Sequence, residues 1–426
     1  MADGRDEPAV QGPYSPASSP DGSFAPFRFP AFRNVWSANV LSQIGSQIQL
    51  VGAGWLMTEL TSEHRMVAAV QAASPLSMLL LSVLAGGVAD NFDRRRVMLA
   101  AQWFMLLVSA ALAVQAWLGM LQPWSLLTFS LLVGAGMTMQ MPAWQASVRT
   151  LVDSRVLPQA ISLNSIAFNL ARTVGPAIGG IVLAMAGVSI AFAINALSYV
   201  AMIVVFTQWQ PSVAPPLRNP LLPSIMAGTR YVFGSSPLRR LIFRGAAYAS
   251  AAMALQALLP VVVREGIHGN ASDYGLMLGA FGVGSVAGAL LSQKLRRAGG
   301  AELTIGVATA CAAAALAGLA IVHTVLTAIP FTFIGGVGWT TCLTTLNVGT
   351  QLRSRDDMLG RSMAIYQAVT FGMAAIAAWC WGMLSDLAGI RITLAVASAT
   401  LVVSGMVLRF LLPMPAPGEG VLLSRN

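Results

Sequence analysis

The sequence predicts an all-α membrane protein with twelve transmembrane helices, arranged as two parallel six-helix pseudo-repeats. Three observations carry this prediction: the composition, a series of long apolar runs, and an internal similarity at a fixed offset. Of the 426 residues, 56% are hydrophobic and 10% are charged, and the mean hydropathy is +0.70. A soluble domain of this composition would expose large apolar surfaces to water. We therefore expect lipid to be the main solvent of the chain.

The apolar runs predict helices. A bilayer supplies no hydrogen-bond partners, so a crossing segment must be an α-helix of about 20 apolar residues or part of a closed barrel. These runs do not alternate as barrel strands do. The predicted spans are 35–58, 66–88, 97–119, 124–147, 159–185, 188–208, 241–263, 272–293, 302–322, 325–348, 361–386 and 390–412. The ninth and tenth spans nearly touch.

The basic residues predict the orientation of the chain. In this topology 21 of the 25 arginines and lysines lie on the side of the two termini. Arg65, Arg264 and Arg391 lie opposite, and Arg172 lies inside the fifth span. Because basic loops face the cytoplasm, we expect both termini to be cytoplasmic and the protein to lie in a bacterial inner membrane. Topology also accounts for the net charge of +9, so no nucleic-acid partner is expected.

The chain is similar to itself at an offset of 202 residues, which covers six spans. This register aligns Ala85-Gly86 with Ala287-Gly288, Arg94-Arg95 with Arg296-Arg297, Leu157 with Leu359, Gly180 with Gly382, and Gly187 with Gly389. The two halves therefore have the same orientation, and substrate should bind between them. The predicted units are a disordered cytoplasmic tail at 1–27, a first half at 28–208, a cytoplasmic linker with a short helix at 209–240, a second half at 241–412 and a cytoplasmic tail at 413–426.

The loop after the second span, GGVADNFDRRR at 86–96, contains a glycine pair, an acid and three arginines. It resembles the signature loop of the major facilitator superfamily. The resemblance implies that Asp90 helps to hold a cytoplasmic gate closed against the start of the eleventh helix. The implied gating residues are Gly86, Gly87, Asp90, Arg94, Arg95 and Arg361. The second half has Ser292 where Asp90 would align, which implies asymmetric gating; alternatively, these residues only mark a cytoplasmic loop.

The fifth span contains four small or kinking residues, Gly175, Pro176, Gly179 and Gly180. Such residues permit close helix contact. The segment resembles the glycine-proline signature of proton-antiporting exporters in the same superfamily, and its confinement to the first half favours efflux. From about 28 to 410 the chain is similar to the branch that contains enterobactin exporters and multidrug pumps.

The fifth span also contains Arg172, about 20 Å from its predicted cytoplasmic start. A charge at this depth costs several kcal/mol unless it is paired or hydrated. Either Arg172 faces the cavity and binds an anionic part of the substrate, or it bonds to carbonyl groups and tethers helices. Both interpretations stay open.

The sequence offers no obvious site for the coupling ion. A proton-driven exporter usually needs a buried carboxylate or histidine that changes charge during the cycle, but the predicted helix centres contain no acid. Ser130 stands in the fourth helix where many antiporters of the superfamily carry arginine, and Ser46 in the first where related pumps often carry an acid. The proton as coupling ion therefore follows from the resemblance alone.

Uncharged polar and aromatic side chains recur at helical spacing along the predicted cavity-lining helices. They suit a large, mostly apolar ligand, although each could instead form a hydrogen bond between helices. The predicted substrate-binding residues are Gln43, Ser46, Gln47, Gln140, Trp144, Asn169, Arg172, Tyr248, Gln256, Asn347 and Tyr366.

Other chemistry is not indicated. There is no phosphate-binding loop of the ATPase type, and Cys311, Cys342 and Cys380 lie singly inside predicted helices. We expect no enzyme activity, no cofactor and no metal. The expected function is secondary-active export of amphipathic small molecules by alternating access and proton antiport, by a monomer. The alternatives are a dedicated siderophore exporter and a non-transporting membrane scaffold.

Overall fold

The computed structural model describes residues 22, 24–209, 221–355, 358–415 and 419. Within these ranges every regular element is helical. The eleven α-helices are α1 Pro30–Leu60, α2 His64–Asn91, α3 Arg94–Trp117, α4 Pro123–Leu151, α5 Leu157–Gln208, α6 Leu221–Gly234, α7 Ser236–Val261, α8 Ala271–Ile321, α9 Val325–Arg353, α10 Leu359–Ala388 and α11 Ile390–Leu411. Short helical turns occur at Ala25–Arg28, Ser154–Val156 and, in the π form, Val262–Gly266.

Two helices are broken by glycines. Helix α5 has 52 residues and leaves helical dihedral angles at Gly187, and α8 has 51 residues and does so at Gly299 and Gly300. Among the described residues, nine helical segments are long and apolar enough to cross a membrane, and α5 and α8 each fall within one of them. The number of twelve spans stays a prediction.

The two halves repeat one backbone feature closely. Gly187 has φ 79° and ψ 175°, and Gly389, 202 residues later, has φ 82° and ψ 161°. Residues with a Cβ rarely adopt this conformation, which explains glycine at both positions. The equivalent turns support the internal repeat, while the boundaries of the halves stay predictions.

Two local predictions are wrong. Helix α2 continues to Asn91, so Gly86, Gly87 and Asp90 are helical and the turn consists of Phe92 and Asp93. A Cβ on Gly86 would meet no atom within 4 Å, so close approach does not require that glycine. The segment 294–298, predicted as a loop, continues α8. By contrast, α8 and α9 are clearly separated at 322–324, and Thr324 caps α9 by accepting a hydrogen bond from the Thr327 amide.

The predicted tails and linker fall only partly on described residues. The linker helix is observed as α6, while 210–220 lies outside the described residues, as do 1–21, 23, 356–357, 416–418 and 420–426. Residues 24–27 are ordered rather than part of a disordered tail: Ala25 and Pro26 are buried, and the ring of Phe27 packs edge-on against Trp36 with centroids 5.0 Å apart. Aromatic packing therefore extends the fold ahead of α1.

Candidate functional site

The helices α5 and α8 form one contact between the two halves. A Cβ on Gly275 would lie 2.6 Å from the Cα of Gly180 and 2.7 Å from the carbonyl oxygen of Pro176. A Cβ on Gly282 would lie 2.6 Å from the carbonyl oxygen of Arg172. Real side chains cannot approach this closely, so the two backbones meet only because glycine occupies these positions.

The other glycines of the predicted exporter segment pack within the first half. A Cβ on Gly175 would lie 2.6 Å from the Cβ of Gln47, and a Cβ on Gly179 would lie 3.1 Å from the Cα of Ile48. Helix α5 is thus held against α1 on one face and against α8 on another. The segment contributes to both contacts, as its small residues predict.

The first half contains a buried polar cluster that joins three helices. Asn195 of α5 donates one hydrogen bond to Gln49 Oε1 of α1 at 2.6 Å and another to the Tyr199 hydroxyl at 3.1 Å. Ser109 of α3 donates to the same Gln49 oxygen at 2.9 Å. All four residues are buried. We call Gln49, Ser109, Asn195 and Tyr199 the amide cluster.

Beside the amide cluster lies a cavity of about 110 Å³, lined by α1, α2, α4 and α5. Its walls include Ser46, Gln47 and Ser130, together with Gln49 and Asn195. Ser46 and Ser130, which the resemblance alone sets against charged residues of related pumps, therefore line the same cavity. Ser46 and Ser130 each donate a hydrogen bond to their own helix, to the carbonyl groups of Ser42 and Leu126, both at 2.9 Å. The cavity has both polar and apolar walls, and its described lining carries no charged group.

The remaining predicted substrate residues of α1 and α4 have separate surroundings. Gln43 is half-buried. Gln140 accepts a hydrogen bond from Gln102 of α3 at 2.6 Å, which ties α3 to α4. Trp144 packs against the apolar cluster that contains Phe32 and Met98. Gln140 and Trp144 therefore have structural contacts inside the first half.

Two predicted residues lie on α5. Asn169 donates to the carbonyl of Ser165 at 2.8 Å. The guanidinium of Arg172 lies 5.5 Å from the ring centroid of Phe168, a distance typical of cation–π contacts. Within the described part of the chain Arg172 has neither an ion-pair nor a hydrogen-bond partner. Its charge is therefore left available, and helix tethering through carbonyl groups is not observed.

The predicted residues of the second half lie in or near its core. Tyr248 and Tyr366 are buried, and Gly245 allows the Tyr366 ring to approach α7. The Tyr248 hydroxyl and the Gln256 amide nitrogen are buried and have no hydrogen-bond partner among the described residues. Asn347 accepts a hydrogen bond from Gln351 at 2.5 Å. The unpaired polar atoms of α7 are available to a ligand or to water.

The predicted cytoplasmic gate is only partly described, because the side chain of Asp90 lies outside the described residues. Arg95 donates to the carbonyl groups of Phe206 at 2.7 Å and Thr207 at 2.5 Å, and so binds the end of α5 within its own half. Arg361 donates to the Met358 sulfur at 3.3 Å. Arg94 also interacts with a neighbouring group, so its side chain is not free.

The opposite ends of the helices, which the arginine distribution predicts to be outer, join the two halves directly. Asp386 of α10 accepts a hydrogen bond from the His64 amide at 2.6 Å and so caps the start of α2. The His64 ring lies 3.0 Å from Glu265 and 2.8 Å from the Ser385 hydroxyl. Gln71 donates to the Tyr274 hydroxyl at 3.0 Å, and Arg264 donates to Thr58 at 3.1 Å. The structure is therefore closed on this side.

A family model described as transmembrane secretion effector matches residues 21–422, nearly the whole chain. The chain belongs to this family of the major facilitator superfamily. It is therefore a multi-pass membrane transporter and not an enzyme.

Known relatives of this chain include exporters. The enterobactin exporter EntS of Salmonella typhimurium is 24% identical over 90% of this chain and 92% of its own length. The multidrug efflux pump Tap of Mycolicibacterium fortuitum is 23% identical over 86% of this chain and 92% of its own length. The staphyloferrin A transporter of Staphylococcus aureus is 31% identical over a shorter stretch, 38% of this chain and 42% of that protein.

Solved structures confirm the major facilitator fold of this family member. The nucleoside transporter NupG superposes with a TM-score of 0.73 at 10% identity, covering 89% of this chain and 99% of NupG. A bacterial homologue of the iron transporter ferroportin superposes with a TM-score of 0.69 at 15% identity, covering 89% of this chain and 98% of its own.

Sequence reasoning missed two groups in this transporter. Gln49 and Asn195 of the amide cluster were not among the predicted binding residues, although Ser42, Gly45 and Gln49 follow one another at i, i+3 and i+7 on one face of α1. His64, Glu265 and Asp386 lie at or near the ends of predicted spans, and residues 201 and 322 positions apart give no signal in the sequence that they meet.

Proposed function

We propose that this protein exports amphipathic small molecules across the bacterial inner membrane by alternating access, in exchange for protons. The observation that carries the proposal is the match to an exporter and an efflux pump along about nine tenths of their length. In this account both termini face the cytoplasm, and substrate binds between the halves, near α1, α4, α7 and α10.

The contacts between the halves support alternating access. Glycine-to-backbone contacts at α5 and α8 and polar contacts at His64, Asp386 and Arg264 hold one side closed. Such contacts can form and separate while the two halves move, and the apolar cluster that contains Phe32 and Met98 belongs to the first half alone. A rocking motion about a central site is the transport mode expected of this architecture.

The gate at the predicted cytoplasmic side provides the test. In this proposal Asp90 stabilises the closed cytoplasmic gate, so Asp90→Asn should reduce efflux of a substrate dye from cells by about tenfold, the effect of losing one charge-assisted hydrogen bond. Asp93→Asn is the matched control: it removes a carboxylate three residues further along the chain, but asparagine preserves the cap that Asp93 provides to the Arg96 amide at 2.8 Å. Unchanged efflux in Asp90→Asn at normal expression would refute the gate model and favour the interpretation that these residues only mark a cytoplasmic loop.

A dedicated siderophore exporter is the second candidate. The enterobactin and staphyloferrin A relatives favour it, and the unpaired charge of Arg172 suits an acidic ligand. Arg172→Ala and Arg172→Lys should then lower binding of acidic siderophores while leaving neutral dyes unaffected. Equal loss for both ligand classes would indicate that Arg172 stabilises α5 instead.

A further inference from the structure

We propose that His64 is a proton-binding site that closes the outer gate, so that acid on the outer side favours the closed state. The inference deepens the proposed function, on which its outward orientation rests. It places a proton-responsive group at the end of the transport path, whereas the cavity beside the amide cluster has no titratable lining.

The position of His64 joins three elements of the fold. It is the first residue of α2, and its ring contacts Glu265 in the π-helical turn after α7 and Ser385 at the end of α10. Asp386 accepts a hydrogen bond from the His64 backbone amide, and its carboxylate lies 3.9 Å from the His64 ring. Every one of these partners belongs to the second half. Opening this side must therefore break all of these contacts together.

The charged groups around His64 are mostly negative. Its own segment contributes Glu63 and Arg65, which pair with each other at 3.0 Å. The second half contributes Glu265 and Asp386, and Arg65 lies 3.9 Å from Asp386. The neighbouring Arg264 is directed to Thr58. Three carboxylates thus face one arginine, so the groups around the His64 ring carry an excess of negative charge.

Protonation changes the charge more than the hydrogen bonds. A neutral ring can donate from Nε2 to Glu265 and accept at Nδ1 from the Ser385 hydroxyl, while a protonated ring donates at both nitrogens. The ring therefore stays in place in both forms. The added positive charge strengthens attraction to Glu265 and Asp386 only while the halves are together.

The direction of the pH effect follows from this difference. In the closed state the second half holds two carboxylates against His64, and in an open state they move away. Proton binding therefore stabilises the closed gate, and this stabilisation is lost as the pH rises. Histidine changes charge between about pH 5 and pH 8. The side chain of His64 is 12% exposed and that of Glu265 is 47% exposed, so the Glu265 end of this contact meets water.

The experiment measures the distance across the outer side by pulsed electron paramagnetic resonance. Spin labels are placed at Met120 and Leu326, two exposed residues of the outer ends of different halves, after alanine replaces Cys311, Cys342 and Cys380. In lipid nanodiscs without substrate, the open population should rise roughly threefold from pH 5.5 to pH 8.0, the effect of a partly exposed ion pair. His64→Gln, which cannot take a proton at this pH, should abolish this rise. Glu265→Gln should reduce it.

The control is His323→Gln, which changes an exposed histidine of the same predicted side outside the cluster and should retain the full response. A full pH response in His64→Gln, or an open population that stays constant or falls as the pH rises in the unmodified protein, would overturn the proposal. The distance measurement requires no transport. Absence of efflux with a normal pH response would therefore contradict the proposed export but not the gate.

Discussion

Gly180 and Gly275 meet backbone to backbone across the two halves, since a Cβ built on Gly180 would lie 2.9 Å from the Cα of Gly275. This contact joins the predicted exporter segment of α5 to the start of α8, close to the polar contacts of the outer side. Ser272 adds a weak hydrogen bond to the Gly180 carbonyl at 3.4 Å. The helices can close here only while both positions lack a side chain.

Replacement of Gly275 by alanine should therefore disfavour the closed outer state. The new Cβ would lie 2.6 Å from the Gly180 Cα and 2.7 Å from the Pro176 oxygen, both backbone atoms that cannot yield by rotating a side chain. We expect the outer distance between labels at Met120 and Leu326 to shift toward the open state and efflux to fall about tenfold. Gly306→Ala in the same helix is the control, because a Cβ there meets nothing within 4 Å. Normal closure in Gly275→Ala would show that the backbones separate without consequence.

Much of the helical pattern could be predicted because it depends on local properties of the sequence. Long apolar runs with few charges specify membrane helices regardless of tertiary contacts. The glycine at position 187 and its repeat at 389 mark equivalent turns, and both adopt positive φ. Helix ends were less predictable: α2 extends to Asn91 because the turn before α3 needs only Phe92 and Asp93, with Asp93 as the cap.

The candidate site could be predicted less completely, because the face of a helix that meets a cavity depends on the packing of the whole bundle. Gln140 was placed in the cavity by its spacing, yet it bonds to Gln102 of α3. Gln49 was not selected, yet it accepts hydrogen bonds from both Ser109 and Asn195. Polar periodicity identified the right helices, but not the direction of each side chain.

Asn195→Leu should destabilise the first half. Asn195 is fully buried and donates to two side chains, so leucine would leave the Tyr199 hydroxyl without this donor and crowd the amide cluster. We expect the free energy of unfolding to fall by about 1–2 kcal/mol, the usual result of removing a buried hydrogen-bond partner. Thermal unfolding in detergent, followed by tryptophan fluorescence, measures this change.

Asn34→Leu is the control for that experiment, because Asn34 is exposed at the start of α1. Its unfolding midpoint should stay close to that of the unmodified protein. If both variants unfold at the unmodified temperature, the amide cluster does not stabilise the fold.

Arg244→Ala should destabilise the second half. The two terminal guanidinium nitrogens of Arg244 each lie 2.8 Å from a carboxylate oxygen of Glu302, and the Arg244 side chain is 4% exposed. Glu302 also accepts from the Met414 amide at 3.1 Å, and Arg244 donates to the Leu412 carbonyl at 3.2 Å. Removal of the arginine leaves the partly buried carboxylate of Glu302 without its partner and releases the segment after α11. We therefore expect the free energy of unfolding to fall by about 2–3 kcal/mol.

Arg155→Ala tests whether the Arg244 effect comes from burial. Arg155 pairs with Asp153 at 3.3 Å, but its side chain is 87% exposed, and an exposed pair contributes at most about 1 kcal/mol. Denaturation in a urea series should therefore separate the two variants clearly. Equal midpoints would show that the Arg244–Glu302 pair contributes no more than a surface pair.

The central claim is that this protein moves amphipathic molecules outward in exchange for protons. The most direct measurement is transport by the purified, unmodified protein in liposomes, with a panel of dyes, antibiotics and catecholate siderophores and an imposed pH gradient. We predict movement of at least one class against its concentration gradient, driven by proton flow in the opposite direction and abolished when an ionophore collapses the gradient. Transport that is the same with and without the gradient would contradict proton antiport, and absence of transport of every class by correctly folded protein would contradict the export function.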